Sequence, residues 1–394
     1  MRPSERLGKL PVYAINELAA AKKRMLAAGR DVIDLSAGDA DLAPPAIAVE
    51  TLARAAADPA MSRYAFQVGL IEFREAAAAY MKRRFGVDLD PMTELLPLIG
   101  SKNGLSHLPL AFLDPGDVCV IPEPGYPAYM GAVLADADVH KYPLVSEKGF
   151  LVELDDMPQD RLESAGLGFL NYPNNPTTAL APSDYLERTI ETCHRHGIVL
   201  AYDNPYCEIT FDGYRAPSIL EFAGAREVSL EFHSLSKSFC MTGWRLGWVA
   251  GSADLIAALT KVKSYVDTGQ FLAIQKAGAA VLNQAEELIE PIRDTFEERR
   301  DAGLEAFRNA GLTVDSPKAT MYLWIEMPGG GTSADFARRL LENEAVAVMP
   351  GSAFGNAGEG YFRIALTVGS DRLAEAGARL SRELKSSGVA GVEA

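Results

Sequence analysis

Lys237 stands in Ser234-Leu-Ser236-Lys237-Ser238, between the apolar runs VSLEFH (228–233) and LGWVA (246–250), with Arg245 eight residues further on. A lysine amine held in a mostly apolar pocket has a lowered pKa and is suited to form an imine with an aldehyde. Asp203 closes the apolar run IVLAYD (198–203). A carboxylate there is costly unless it either caps a nearby loop or binds a cation. After LLPLI (95–99) comes Gly100-Ser101-Lys102-Asn103-Gly104, small polar residues that open a helix. Such a start offers free N–H groups and the positive end of a dipole to a phosphate, although it is common and matches neither a Walker loop nor G-x-G-x-x-G. Arg363 interrupts the apolar run Tyr361-Phe362-Arg363-Ile364-Ala365-Leu366, and an arginine centred in a strand needs an anionic partner.

Taken together these fragments describe one chemistry. Lys237 would join an aldehyde, Ser101, Ser234, Ser236 and Arg245 would supply donors and charge for a phosphate, and Asp203 would keep a ring nitrogen protonated. Imine, phosphate and pyridinium together mean pyridoxal 5′-phosphate. Ser234-x-x-Lys237 also matches the S-x-x-K of serine acylases, but the S-D-N and K-T-G elements those enzymes need are missing. His194 and His196 are two apart on a helix and face different directions, so they read as a solvated helix end and no metal is expected.

These residues must be positioned by a sheet. Seven β-rich runs alternate with helical patterns: LLPLI (95–99), VCVI (118–121), DVHKY (138–142), LGFLN (167–171), IVLAYD, VSLEFH and LGWVA. This is the βαβ pattern of a mostly parallel α/β sheet, in which ligands bind beyond the carboxyl ends of the strands. A helix is predicted over 183–196 with Ser183 as N-cap and Gly197 past its end. After about residue 284 the pattern changes to a long charged helix, the strand-like runs MYLWIEM, VAVMP and YFRIAL, and a last helix with Ser370 as N-cap, which predicts a separate α+β layer.

Composition bounds the functions. Hydrophobic residues are 48% and charged residues 23% of the 394, which excludes a disordered or low-complexity chain. The formal charge of −15 argues against nucleic acid or anionic lipid as a partner. No window approaches the roughly 18 to 20 apolar residues of a membrane helix, so the chain reads as soluble and unexported. Cys119, Cys193, Cys207 and Cys240 form no C-x-x-C pair, and reduced cytoplasm is the expected location.

The phrases GSKNGLSHLPLAFLDPGD, PEPGYPAYMGAV, NYPNNPT, AYDNPYCEITFDG, EFHSLSKSFCMTGWRLGW and GEGYFRIAL resemble those of the fold type I pyridoxal phosphate aminotransferases of class I/II. The resemblance covers essentially the whole chain and, within the group, is similar to LL-diaminopimelate aminotransferase-like members. It implies a large cofactor domain with a mostly parallel seven-stranded sheet over 44–283. A smaller α+β domain would span 284–394, joined by an N-terminal arm over 1–43. It implies that Lys237 binds the cofactor and then shuttles a proton, that Asp203 pairs with the ring nitrogen, and that Tyr206 and Asn175 hydrogen-bond the ring hydroxyl. Tyr126 would stack on the ring, and Ser101, Lys102, Ser234, Ser236 and Arg245 would form the phosphate cup. Tyr64 would reach the phosphate of a neighbouring subunit in a homodimer with composite sites. Arg363 would bind the substrate α-carboxylate, with Asn175 and the backbone of Gly38 beside it. The implied reaction moves an amino group between an L-amino acid and a 2-oxo acid by a ping-pong route, with glutamate and 2-oxoglutarate as second pair. LL-diaminopimelate, aspartate, methionine and aromatic amino acids remain candidate donors, and a β-lyase would use the same Lys237 and Asp203. The sequence departs from the family at Thr178, where glycine is usual, at Cys240 for asparagine, at Asn103 for glutamate and at Pro205 for a small residue. Thr disfavours positive φ, so Thr178 predicts a tighter or differently twisted turn after Asn175.

Overall fold

The computed structural model describes residues 2–10, 15–66 and 68–387. Its strands in chain order are β1 (Ile33–Asp34), β2 (Leu95–Leu98), β3 (Val118–Glu123), β4 (Asp138–Pro143), β5 (Ala165–Leu170) and β6 (Val199–Asp203). They continue with β7 (Ser229–Ser234), β8 (Gly247–Gly251), β9 (Tyr322–Glu326), β10 (Val346–Ala347), β11 (Met349–Pro350) and β12 (Tyr361–Ala365). All seven predicted runs enter one sheet of order β2-β8-β7-β6-β5-β3-β4. β8 alone runs antiparallel to its neighbours β2 and β7. β2, β7 and β8 are buried along their whole length, and β7 carries the buried polar residues Ser229, Glu231 and His233 on one face. β4 lies at an edge and is only partly covered, which suits its polar DVHK run.

Helix punctuation follows local chemistry. Ile71–Phe85 ends at Gly86 with φ 73°, and Ser183–His196 ends at Gly197 with φ 70°, the left-handed position that glycine adopts without steric cost. Neither predicted serine is an N-cap. Ser183 is the first helical residue, and the extended Pro182 before it takes the cap position. Ser370 likewise lies inside its helix after Gly369, and its hydroxyl instead donates to Glu298 Oε1 at 2.7 Å, tying two helices together.

The C-terminal layer is an antiparallel sheet of order β11-β12-β9 with helices Ala285–Asn309, Ser333–Glu344 and Ser370–Ser386. Ser333–Glu344 buries Phe336, Ala337, Leu340 and Leu341, one stripe at helical spacing. The N-terminal segment is stitched into this layer. β1 pairs in parallel with β10, and Leu35 bonds the carbonyl of Ala347 and accepts from the amide of Ala365, both at 2.8 Å. Helix Ala285–Asn309 joins the two layers: Ala285 and Ile289 pack with the core of the large sheet, Ile292 and Phe296 with that of the C-terminal layer, and Pro291 lies between. Among the described residues no helix is long and apolar enough to cross a membrane.

Candidate active site

At the end of β7 the chain turns at Ser234, whose Oγ accepts from the amide of Ser236 at 3.2 Å and starts the short helical turn Leu235–Ser238. Lys237 projects from that turn, and its Nζ donates to the carbonyl of Gly38. Arg245 follows in left-handed conformation with φ 55°. Its Nη1 donates to the carbonyl of Thr242 at 2.8 Å and to Ser236 Oγ at 3.5 Å. The guanidinium packs over Gly100, where any Cβ would collide with it, so the glycine before Ser101 is what lets Arg245 reach the helix start. Gln270 Nε2 bonds the carbonyls of Trp244 and Arg245 at 2.8 and 2.6 Å and holds the left-handed turn in place.

Asp203, at the end of β6, is 3% exposed. Its Oδ2 accepts from the Tyr129 hydroxyl at 2.9 Å, and its backbone carbonyl accepts from Asn171 Nδ2 at 2.7 Å. Its Oδ1 is buried and has no hydrogen-bond partner among the described residues. Burial pushes the carboxyl up to about 7, and the bond from Tyr129 opposes that rise.

Arg363, centred on β12, is 5% exposed and pairs with no carboxylate among the described residues. Nη1 donates to Asn175 Oδ1 at 2.6 Å and Nη2 to the Ser36 carbonyl at 2.9 Å, while the buried Nε has no partner among the described residues. The guanidinium carbon sits 4.1 Å from the centre of the Tyr322 ring and 4.8 Å from that of Phe354, so the cation is held by two π faces. The Tyr322 hydroxyl lies 2.9 Å from that of Tyr206, and burial raises the Tyr206 pKa well above that of a free phenol.

One cavity of about 240 Å³ gathers these groups. Gly38, Ser101, Lys102, Tyr126, Asn175 and Asp203 line it, as do Tyr206, Ser234, Ser236, Lys237, Arg245 and Arg363. Of the cofactor- and substrate-binding residues predicted from the sequence, Tyr64 alone is elsewhere: it is 71% exposed, with its ring 5.9 Å from that of Phe66. Sequence reasoning missed Tyr129, Asn171, Thr242, Tyr322, Phe354 and Gln270. Tyr129 had a faint signal, since three residues after Tyr126 is nearly one helical turn. Tyr322 had none without the register that sets β9 against β12. The turn after Asn175 keeps a left-handed residue: Thr178 itself adopts φ 63° and its amide bonds the Asn174 carbonyl at 3.0 Å. Cys240 also has positive φ, at 53°. Asn103 Nδ2 donates to Asp267 Oδ2 at 3.1 Å, and His194 Nε2 lies 2.7 Å from the carbonyl oxygen of Gly224.

The unpartnered Asp203 oxygen asks for a buried N–H donor, the serines and Arg245 for an anion, and Lys237 offers an amine between them. A phosphorylated aldehyde with a basic ring nitrogen meets all three demands, and the residues present fit pyridoxal 5′-phosphate. Fold and site thus define the class of pyridoxal phosphate-dependent enzymes of fold type I. The family pattern described as "Aminotransferase class I and II" matches residues 30–380, and the chain belongs to that family. It is 44% identical over 389 residues to the LL-diaminopimelate aminotransferase of Moorella thermoacetica, covering 98% of this chain and 99% of that protein. Among solved structures it is similar to substrate-bound BacF from Bacillus subtilis, at TM-score 0.94 and 33% identity over 97% of this chain and 98% of the other. It also matches a probable N-succinyldiaminopimelate aminotransferase from Thermus thermophilus at TM-score 0.89 and 37% identity, covering 93% of this chain and 99% of the other. The chain is an aminotransferase, pyridoxal 5′-phosphate is its cofactor, and its substrates are small amino and 2-oxo acids.

Proposed function

We propose that the chain transfers the amino group of an L-amino acid to 2-oxoglutarate by a ping-pong route, with LL-diaminopimelate first among the donors. The carrying observation is Arg363: a buried guanidinium with no carboxylate partner among the described residues, in the same cavity as Lys237. A cation so placed is matched by a substrate α-carboxylate, which takes a guanidinium bidentately. Bound pyridoxal phosphate supplies an electron sink for the substrate Cα. The chain supplies the rest. Lys237 Nζ binds the cofactor and carries the proton at Cα, Asp203 holds the proton on the ring nitrogen, and Tyr206 and Asn175 hold the ring hydroxyl. Tyr126 covers the ring. Ser101, Lys102, Ser234, Ser236 and Arg245 anchor the phosphate.

The choice of donor is supported by relatives named LL-diaminopimelate aminotransferase at 42 to 45% identity. We further propose a cytoplasmic homodimer, each protomer having a large domain over 44–283 and a small one over 284–394 plus the arm 1–43. In it the exposed Tyr64 serves the partner's phosphate. Initial rates with a panel of amino donors against 2-oxoglutarate test the reading. The expected result is parallel double-reciprocal lines with LL-diaminopimelate preferred over aspartate, methionine and phenylalanine. Intersecting lines contradict the ping-pong route, and another preferred donor replaces LL-diaminopimelate.

A further inference from the structure

Resting on the reading of Asp203 as the acid at the cofactor ring, we propose that Tyr129 is a positioning residue. Its hydroxyl clamps one carboxylate oxygen of Asp203, so that the other is presented to the ring nitrogen as a fixed, ionised acceptor.

The two oxygens of Asp203 differ in their surroundings. Oδ2 takes the Tyr129 hydroxyl at 2.9 Å, whereas Oδ1 has no partner among the described residues. The backbone of Asp203 is already fixed by Asn171, so what remains to be set is the rotation of the carboxylate, and Tyr129 sets it. Tyr129 is itself immobilised. It is fully buried in the segment Pro127–Ala135, its ring stacks on Phe169 at 4.7 Å and 21°, and it meets Tyr126 edge-on at 5.8 Å. One turn of chain therefore carries both the ring that lines the cavity and the hydroxyl that holds the acid.

Protonation follows the same arrangement. Burial keeps the Tyr129 phenol protonated, so it stays a donor. Among the described residues no cation bonds the Asp203 carboxylate, so the charged form rests on the Tyr129 bond against the cost of burial. A protonated Asp203 would be a donor itself and could not hold a proton on a ring nitrogen. Losing the bond thus moves the shared proton from the ring toward the acid.

The test uses cofactor labelled with ¹⁵N in the ring, bound to the wild type, to Tyr129→Phe, to Asp203→Asn and to the double variant. Tyr129→Phe should move the ¹⁵N resonance toward that of neutral pyridine and weaken cofactor binding by about tenfold or more, the range of one hydrogen bond to a charged group. In the Asp203→Asn background the same substitution should change neither quantity, because Tyr129 acts through the carboxylate. A resonance and dissociation constant unmoved by Tyr129→Phe, but moved by Asp203→Asn, overturn the clamp and leave the acid in place. A resonance unmoved by Asp203→Asn overturns the reading of the acid itself, and the clamp with it. Should Tyr129→Phe not fold, Phe169→Leu loosens the same ring while keeping its hydroxyl. A partial shift in the same direction is then expected, and an unmoved resonance refutes the clamp.

Discussion

Replacing Arg363 with lysine keeps the charge and removes the planar fork, and the structure gives the size of the effect. The native guanidinium spends Nη1 on Asn175 and Nη2 on Ser36, and its Nε, without a partner among the described residues, is left to turn toward an anion. A lysine has one compact ammonium that cannot span Asn175, Ser36 and a carboxylate together, and it loses the stacked contacts with Tyr322 and Phe354. At least one charge-assisted bond to the substrate is lost, worth about 1.5 to 3 kcal/mol. At about 1.4 kcal/mol per decade, kcat/KM should fall by about one to two orders of magnitude for every amino donor alike. The decisive assay compares an amino acid with its decarboxylated amine in both proteins. If Arg363 receives the carboxylate, the wild type prefers the acid and Arg363→Lys largely loses that preference. An arginine that only braces Asn175 and Ser36 would lower thermal stability and slow acid and amine equally. An unchanged preference for the acid refutes the assignment.

Asp203→Asn preserves shape and removes the charge, so kcat should fall by about 100-fold or more while cofactor still binds; single-turnover rates with saturating cofactor check this, and a kcat within a few-fold of wild type rejects the role. Gly38→Ala places a methyl against the buried Tyr322 hydroxyl, whose displacement disturbs both Tyr206 and Arg363, so kcat/KM should drop by about tenfold or more with the fold retained by circular dichroism. Thr178→Gly relieves a β-branched residue held at φ 63°, and denaturant unfolding should show a gain of about 1 kcal/mol; a loss of stability would mean that the Thr178 side chain contributes packing of greater worth.

Lys237, Asp203 and Ser101 were legible in the sequence because each follows an apolar run, and in a parallel sheet the carboxyl ends of such runs are where ligands bind. Arg363 was legible for a different reason, being a charge in an otherwise uncharged, largely apolar run. The groups that hold these side chains were hidden. Tyr129 acts on Asp203 across 74 residues and Tyr322 on Tyr206 across 116, and such pairings depend on strand register and helix rotation rather than on spacing. The antiparallel course of β8 was equally invisible, since LGWVA is as apolar as the parallel strands beside it. The two misplaced N-caps have different causes. Serine favours the cap position, but Pro182 takes it before Ser183, and Ser370 spends its hydroxyl on Glu298.

In the proposed mechanism Lys237 has two roles, as the anchor of the cofactor and as the carrier of the proton at the substrate Cα. The most direct test of both is rapid mixing of Lys237→Ala, loaded with pyridoxal phosphate, with an amino donor, following both the cofactor absorbance and the release of 2-oxo acid in a single turnover. The variant should hold its cofactor without a covalent link and form 2-oxo acid slower than wild type by about four orders of magnitude or more, because nucleophile and proton carrier vanish together. Near-normal single-turnover release of 2-oxo acid from Lys237→Ala would contradict the mechanism.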